Sequence, residues 1–148
     1  MRRWLLVLLA LPLLVLAAED DPLDPTQAPM PVRRAVFRAE TVRQRGDLEE
    51  ARRILADALA AGESRDHPAL RYRLGAYLLE LDRPVEALPH LRAASRQAPQ
   101  AALVWRDLAR AAYETGGHAE AAAAFGRAYR CQAAAAESPP DVALLHYS

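Results

Sequence analysis

The sequence predicts an all-α fold, a solenoid of stacked antiparallel helix pairs, and three observations carry that reading. Apolar residues recur at three- and four-residue spacing from residue 32 onward, the period of a helix with one buried face. Breaks at Gly46, Gly62, Arg83-Pro84, Pro99, Gly116-Gly117 and Pro139-Pro140 cut that stretch into six complete helices and the beginning of a seventh. Glu50-Ala51, Glu86-Ala87 and Glu120-Ala121 each open a helix and recur at spacings of 36 and 34 residues, a period that belongs to stacked helix pairs.

In chain order, residues 1–18 read as a secretion signal. Arg2 and Arg3 form a basic start, Trp4 to Leu16 an apolar run, and Val15-Leu16-Ala17 or Leu16-Ala17-Ala18 a small-residue exit, so cleavage is expected after Ala17 or Ala18. The alternative is an uncleaved inner-membrane anchor. Roughly 13 to 15 apolar residues at about 1.5 Å each reach only about 20 Å of a hydrocarbon core of about 30 Å, which favours cleavage. No cysteine follows the run to be acylated, so the mature chain is expected to be periplasmic or secreted and not membrane-spanning. Residues 19–31 then form an acidic tether, because Pro22, Pro25, Pro29 and Pro31 lack backbone donors and oppose both helix and sheet.

Three repeats follow, at 32–67, 68–101 and 102–135. Four residues after the alanines of the recurring pairs stand Leu55, Leu91 and Phe125, and three later Ala58, Ala94 and Ala128. Small residues let two helix backbones approach where they cross, and the bulky residue one turn on fills the groove. The first helices keep the same register: Leu74-Gly75 matches Leu108-Ala109, with Trp105 three residues before its leucine. Glu50, Glu86 and Glu120 sit at the third position of each second helix, facing free amides and the positive end of the helix dipole. Asp47 is expected to cap the first of these helices and Pro84 suits the first turn of the next. Pro89 removes one hydrogen bond a turn further in and predicts a slight kink without a break. Residues 141–148, Asp141 to Ser148, line up with Pro68 to Gly75 and read as the truncated start of a fourth repeat. Leu144, Leu145 and Tyr147 are apolar where an array would end in a polar-faced helix, so the chain reads as a fragment of a longer repeat protein.

Composition narrows the function. At 148 residues, with 52 % hydrophobic and 26 % charged content, the chain suits one globular unit. All nineteen basic residues are arginine, asparagine is absent and 33 residues are alanine, a composition that fits a GC-rich bacterial genome. Acidic residues also number nineteen, leaving no net positive field to attract nucleic acid. The single cysteine, Cys131, has no internal partner and is expected to be a half-buried helix residue, so stability comes from packing. His67, His90, His118 and His146 lie 23, 28 and 28 residues apart, without the close spacing of a metal site, and read as helix-end and surface residues. There is no Gly-rich phosphate loop, nucleophile elbow or paired-cysteine motif. No catalytic residue, cofactor, metal or small-molecule substrate is therefore expected.

Taken together, these residues resemble the tetratricopeptide-repeat (TPR) family, whose 34-residue unit favours Trp or Leu, Leu, Gly or Ala, Tyr, then Ala, Phe, Ala and Pro at fixed positions. Residues 68–101 meet the pattern with Leu74, Gly75, Ala87, Leu91, Ala94 and Pro99, and residues 102–135 with Trp105, Leu108, Ala109, Ala121, Phe125 and Ala128. Residues 32–67 are degenerate: Ala35, Ala39, Ala51, Leu55 and Ala58 fit, but Arg38 stands where Leu is usual. The resemblance implies a right-handed superhelical stack whose first helices line a concave groove for a protein or peptide. Its groove positions fall on Arg33, Val36, Glu40 and Arg43, on Ala69, Tyr72, Ala76 and Leu79, and on Leu103, Arg106, Arg110 and Tyr113. Tyrosine and arginine are the side chains that most often dominate binding. The alternative for Arg106 and Arg110 is that they merely solvate a helix face. The family's clamp for a chaperone's terminal carboxylate is excluded, because Val36 and Glu40 replace its Lys and Asn.

The expected function is a non-enzymatic periplasmic scaffold for a protein partner of the cell envelope. The export signal, acidic Pro-rich stretch and repeats together resemble TPR accessory proteins of TonB-type systems. Alternatives are an assembly factor for cytochrome c maturation, pilus or polysaccharide export, and a structural spacer in a longer envelope protein.

Overall fold

A computed structural model describes residues 21–62 and 66–137. The expected secretion signal, the start of a fourth repeat and His146 lie outside the described residues. Among the described residues there are six helices, α1 (Met30–Gln44), α2 (Leu48–Ala60), α3 (Pro68–Glu80), α4 (Pro84–Gln97), α5 (Ala102–Glu114) and α6 (His118–Glu137). Consecutive helices pack as pairs, α1 with α2, α3 with α4 and α5 with α6, and each pair packs on the next. The architecture is the expected all-α solenoid.

The helix starts follow from capping chemistry. The Asp47 carboxylate accepts the Glu50 amide at 2.9 Å and caps α2. Pro84 occupies the first turn of α4, and Glu86 and Glu120 lie in the first turns of α4 and α6. His67 caps α3, its Nδ1 accepting the Ala69 amide at 3.2 Å. α4 runs through Pro89 to Gln97. The carbonyl left without a donor is that of Val85, a residue largely open to water. Between the paired helices the chain turns through a left-handed residue, Gly46 (φ 91°) in the first pair and Gly116 (φ 83°) in the third. The matching place in the second pair is Asp82, with φ 58°. The turn thus falls at Asp82, just before the Arg83-Pro84 break expected from the sequence, because an aspartate does not announce a left-handed turn as glycine does.

The core lies where the pairs cross. Ala51, Leu55, Ala87 and Leu91 are fully buried, with Val32, Val36, Ala39, Ala69, Leu70 and Leu74 around them. Gly75 shows how close the second pair approaches: a β-carbon there would lie 2.6 Å from Leu91 Cγ. α1 has Ala39 at the matching position. In the third pair the expectation fails at one residue, since Phe125 is 50 % exposed, not buried as Leu55 and Leu91 are. Phe125 and the exposed Tyr129 lie on α6, and among the described residues no further helix follows to cover that side.

Curvature follows from which helices touch. α1 reaches α3 and α3 reaches α5, whereas α2, α4 and α6 make no close approach to one another among the described residues. The second helices are instead linked by long side chains. Arg92 on α4 forms a two-pronged ion pair with Glu120 on α6 at 2.7 and 2.8 Å, and Arg83 reaches Glu49 on α2 at 3.4 Å. Closer spacing of the first helices places α1, α3 and α5 on the inner side of the stack.

Within the tether expected over 19–31, the described residues 21–31 take a different form. Residues 21–29 fold into turns against the helices, Leu23 and Ala28 are buried, and α1 already begins at Met30 with Pro31 in its first turn. Proline bars a helix interior and permits its first turn, and the lone leucine among acids and prolines finds apolar cover.

Two substitutions test these contacts by urea denaturation. Gly75→Ala should lower stability by about 1 kcal/mol, because overpacking against Leu91 costs roughly 1–3 kcal/mol and improved helix propensity returns about 1 kcal/mol. Asp82→Gly should raise it by about 0.5 kcal/mol, since relief of the left-handed strain outweighs the added freedom of the unfolded chain.

Candidate protein-binding surface

The inner faces of α1, α3 and α5 carry the residues assigned to the groove, and the structure divides them into three groups. Leu79 is buried in the core and Tyr72 is half-buried, so both support the surface more than they present themselves on it. Val36 and Ala69 are buried as well. Glu40 and Arg43 are half-buried and tied to neighbours, while Arg33 is half-buried with its Nε shielded from water and unpaired. Leu103, Arg106, Arg110 and Tyr113 are exposed, with Tyr113 at 63 %. The freely presented side chains therefore cluster on α5.

α1 and α3 are joined by a polar network. Glu40 accepts from Arg43 Nε and Nη2 at 3.1 and 2.9 Å and from the Tyr77 hydroxyl at 2.9 Å. Arg43 also pairs with Glu80 at 3.6 Å and lies 5.8 Å from the centre of the Tyr77 ring. The Arg43 guanidinium, followed by the Tyr77 hydroxyl, holds the Glu40 carboxyl down to about 2. Burial, then the hydrogen bond to Glu40, pushes the Tyr77 phenol up. A charged hydrogen bond of this kind, half shielded from water, fixes the rotamers of both partners. Neither Tyr77 nor Glu80 is marked by the repeat register, because a bond between side chains of two helices leaves no periodic signal.

On α5 the pairing is local. Arg106 bonds Asp107 at 3.1 Å and Arg110 bonds Glu114 at 2.8 Å, one turn on along the same helix. Exposed pairs such as Arg110–Glu114 contribute about 0–1 kcal/mol, so that guanidinium exchanges partners at little cost, whereas Arg106, itself exposed, pairs with the mostly buried Asp107. The Tyr113 ring stands 5.4 Å from His118. Tyr72 faces the same helix from α3; burial, followed by the Asp107 charge, raises its phenol to about 12. The surface thus offers two guanidinium forks and a tyrosine, backed by a rigid tyrosine–glutamate junction. Such a surface suits carboxylates and apolar side chains of a polypeptide.

The other histidines have places in the fold: His67 caps α3, His118 opens α6, and His90 is half-buried on α4 with Nδ1 3.0 Å from Arg71 Nη1. Cys131 is half-buried, its thiol 3.6 Å from the Pro99 carbonyl. Among the described residues no three His, Cys, Asp or Glu side chains gather as a metal would require, and no helix is long and apolar enough to cross a membrane.

The Glu40 network makes a pH prediction. A carboxylate held below its ordinary value of 4.5 contributes stability above that pH, and the contribution is lost as pH falls toward about 2. Urea midpoints measured from pH 7 down to pH 2.5 should therefore fall through this window, and Glu40→Gln should flatten part of that slope. Tyr77→Phe should cost about 1 kcal/mol at pH 7.

No protein-family model matches the chain, and no curated protein matches it in sequence. Solved structures do match. A structure of MamA MSR-1 is 25 % identical over 78 % of this chain and 62 % of its own, with a TM-score of 0.60. A structure of a MamA mutant is 24 % identical over 77 % of this chain and 59 % of its own, also with a TM-score of 0.60. The chain spans about 60 % of the length of these proteins. Both neighbours are TPR-like helical solenoids, and that is the fold the six helices share with them.

Proposed function

We propose that this chain is a non-enzymatic scaffold of the bacterial periplasm that holds a polypeptide partner on the inner face of α1, α3 and α5. The observation that carries the reading is the combination on that face of exposed Arg106, Arg110 and Tyr113 with the fixed Tyr77–Glu40–Arg43 junction. The first group supplies replaceable contacts and the second keeps the helices from shifting as they form. TPR-like neighbours support a scaffold of this type. The periplasm is proposed from Met1 to Ala18, whose basic start, apolar run and small-residue exit suit export. An accessory role in a TonB-type envelope system is the finer form of the proposal, supported by the resemblance of the export signal, acidic Pro-rich stretch and repeats to such proteins.

Pull-down from periplasmic extract with the intact chain tests it. Arg106→Ala combined with Arg110→Glu should leave the helical circular-dichroism signal and melting temperature nearly unchanged, because both side chains are exposed. The same pair should reduce partner recovery at least tenfold. A spacer without a binding role predicts unchanged recovery and unchanged envelope phenotypes. Components of a TonB-type system among the recovered proteins would support the finer reading, and a different machine would replace it.

A further inference from the structure

Residues 21–28 satisfy their own polar groups. The Leu23 amide donates to Asp21 Oδ1 at 2.9 Å, and the Asp24 amide donates to the Asp21 carbonyl at 2.9 Å. The amide and hydroxyl of Thr26 both donate to the Asp24 carboxylate at 2.8 Å. Among the described residues, no hydrogen bond runs from this segment to α2 through α6. What reaches the helices is apolar: Ala28, buried with the main core where the segment joins α1, and the Leu23 side chain, 7 % exposed. It sits in a socket made by Ala94 and Ala98 at the end of α4, Ala101 and Val104 at the start of α5, and Tyr72 of α3. The segment is therefore a self-contained turn held by an apolar plug beside an assigned groove residue.

Charge and space around the plug favour one kind of occupant. The Thr26 amide and hydroxyl hold the Asp24 carboxyl down, the Arg73 charge adds a smaller pull in the same direction, and Arg73, next to Tyr72, makes no ion pair among the described residues. Open crevices flank Leu23 on two sides. One, of about 350 Å³, lies between Asp21-Pro22 and the α4–α5 turn at Gln97 to Ala101. The other, of about 300 Å³, runs from Leu23 past Leu103 to Cys131 and Ala135 on α6. The bound segment fills only part of a longer path, which has an apolar socket and a cation beside it.

We propose that the Leu23 socket is the anchor subsite for an extended partner segment, acidic and proline-flanked with a leucine plug, and that residues 21–28 occupy it in cis. The inference rests on reading the first-helix face as a protein-binding surface, and it names the chemistry that surface selects. Burying one leucine corresponds to roughly a 10- to 100-fold preference for the closed state. A tethered segment at a millimolar effective concentration thus keeps the socket shut against weak competitors and yields to a partner that also engages α5.

The test uses the full chain and a fluorescent peptide spanning residues 21–29, DPLDPTQAP, titrated to millimolar protein. Leu23→Asp, which ejects the plug, should bind the peptide at least tenfold more tightly than the wild type, and Leu23→Ala should do so to a lesser degree. A peptide with alanine in place of its leucine should not bind. Adding Arg73→Glu to Leu23→Asp should weaken binding about tenfold. Equal binding to wild type and Leu23→Asp, or no binding to either opened variant with its helical signal intact, would overturn the proposal. Full affinity after Arg73→Glu would overturn its acidic chemistry. A wild-type dimer in sedimentation that Leu23→Asp dissolves would make a second copy the occupant and overturn it likewise. Loss of partner recovery on substituting Arg106 and Arg110, with no peptide binding here, removes the socket and leaves the scaffold standing.

Discussion

Close crossing of paired helices over small residues is the constraint on which the rest depends. With no internal disulfide available, these contacts carry the stability. Gly75 lets α3 approach α4 until Leu91 fills the space a β-carbon would need, and Ala51, Ala87 and Ala94 provide the same closeness elsewhere. The side chains that build these crossings are consumed by them. What remains exposed on the inner face, chiefly on α5, is Arg106, Arg110 and Tyr113 together with Leu103. The spacing of the rows follows as well, because among the described residues the first helices touch while the second helices are bridged by ion pairs such as Arg92–Glu120.

That division explains which parts of the structure were legible in the sequence. Leu55 and Leu91 declare themselves by period and are fully buried where the register puts them. Phe125 has the same register yet lies half exposed, on a side of α6 that no further described helix covers. Asp82 takes the left-handed turn that glycine marks in the other two pairs, and no composition rule would single it out. Leu23 had one faint signal, a solitary leucine inside an acidic, proline-rich stretch, and its socket is built from residues about 50 to 80 positions away that no local pattern joins to it.

The groove residues show the same limit. Repeat register identified the positions, and exposure then separated them: Arg106, Arg110 and Tyr113 stand out from the surface, Glu40 and Arg43 brace it, and Leu79 belongs to the core. Register says which face a side chain leaves from and nothing about what stands opposite. The Tyr77–Glu40 bond between α3 and α1 spans 37 residues, so its existence depends on how the pairs stack. A stack braced in this way presents its contacts without rearranging first, which lowers the ordering cost of binding.

The proposed partner would lie against the inner face of the first helices, within reach of a short crosslinker on α5. Site-specific photo-crosslinking in living cells tests it most directly, with benzoylphenylalanine installed in place of Tyr113 on α5 or of Arg53 on the outer side of α2. Adducts to a discrete envelope protein from the Tyr113 position, and none from Arg53, are the predicted result. Adducts from Arg53 alone would rule out a partner on that face, because they would place it on the outer row of second helices.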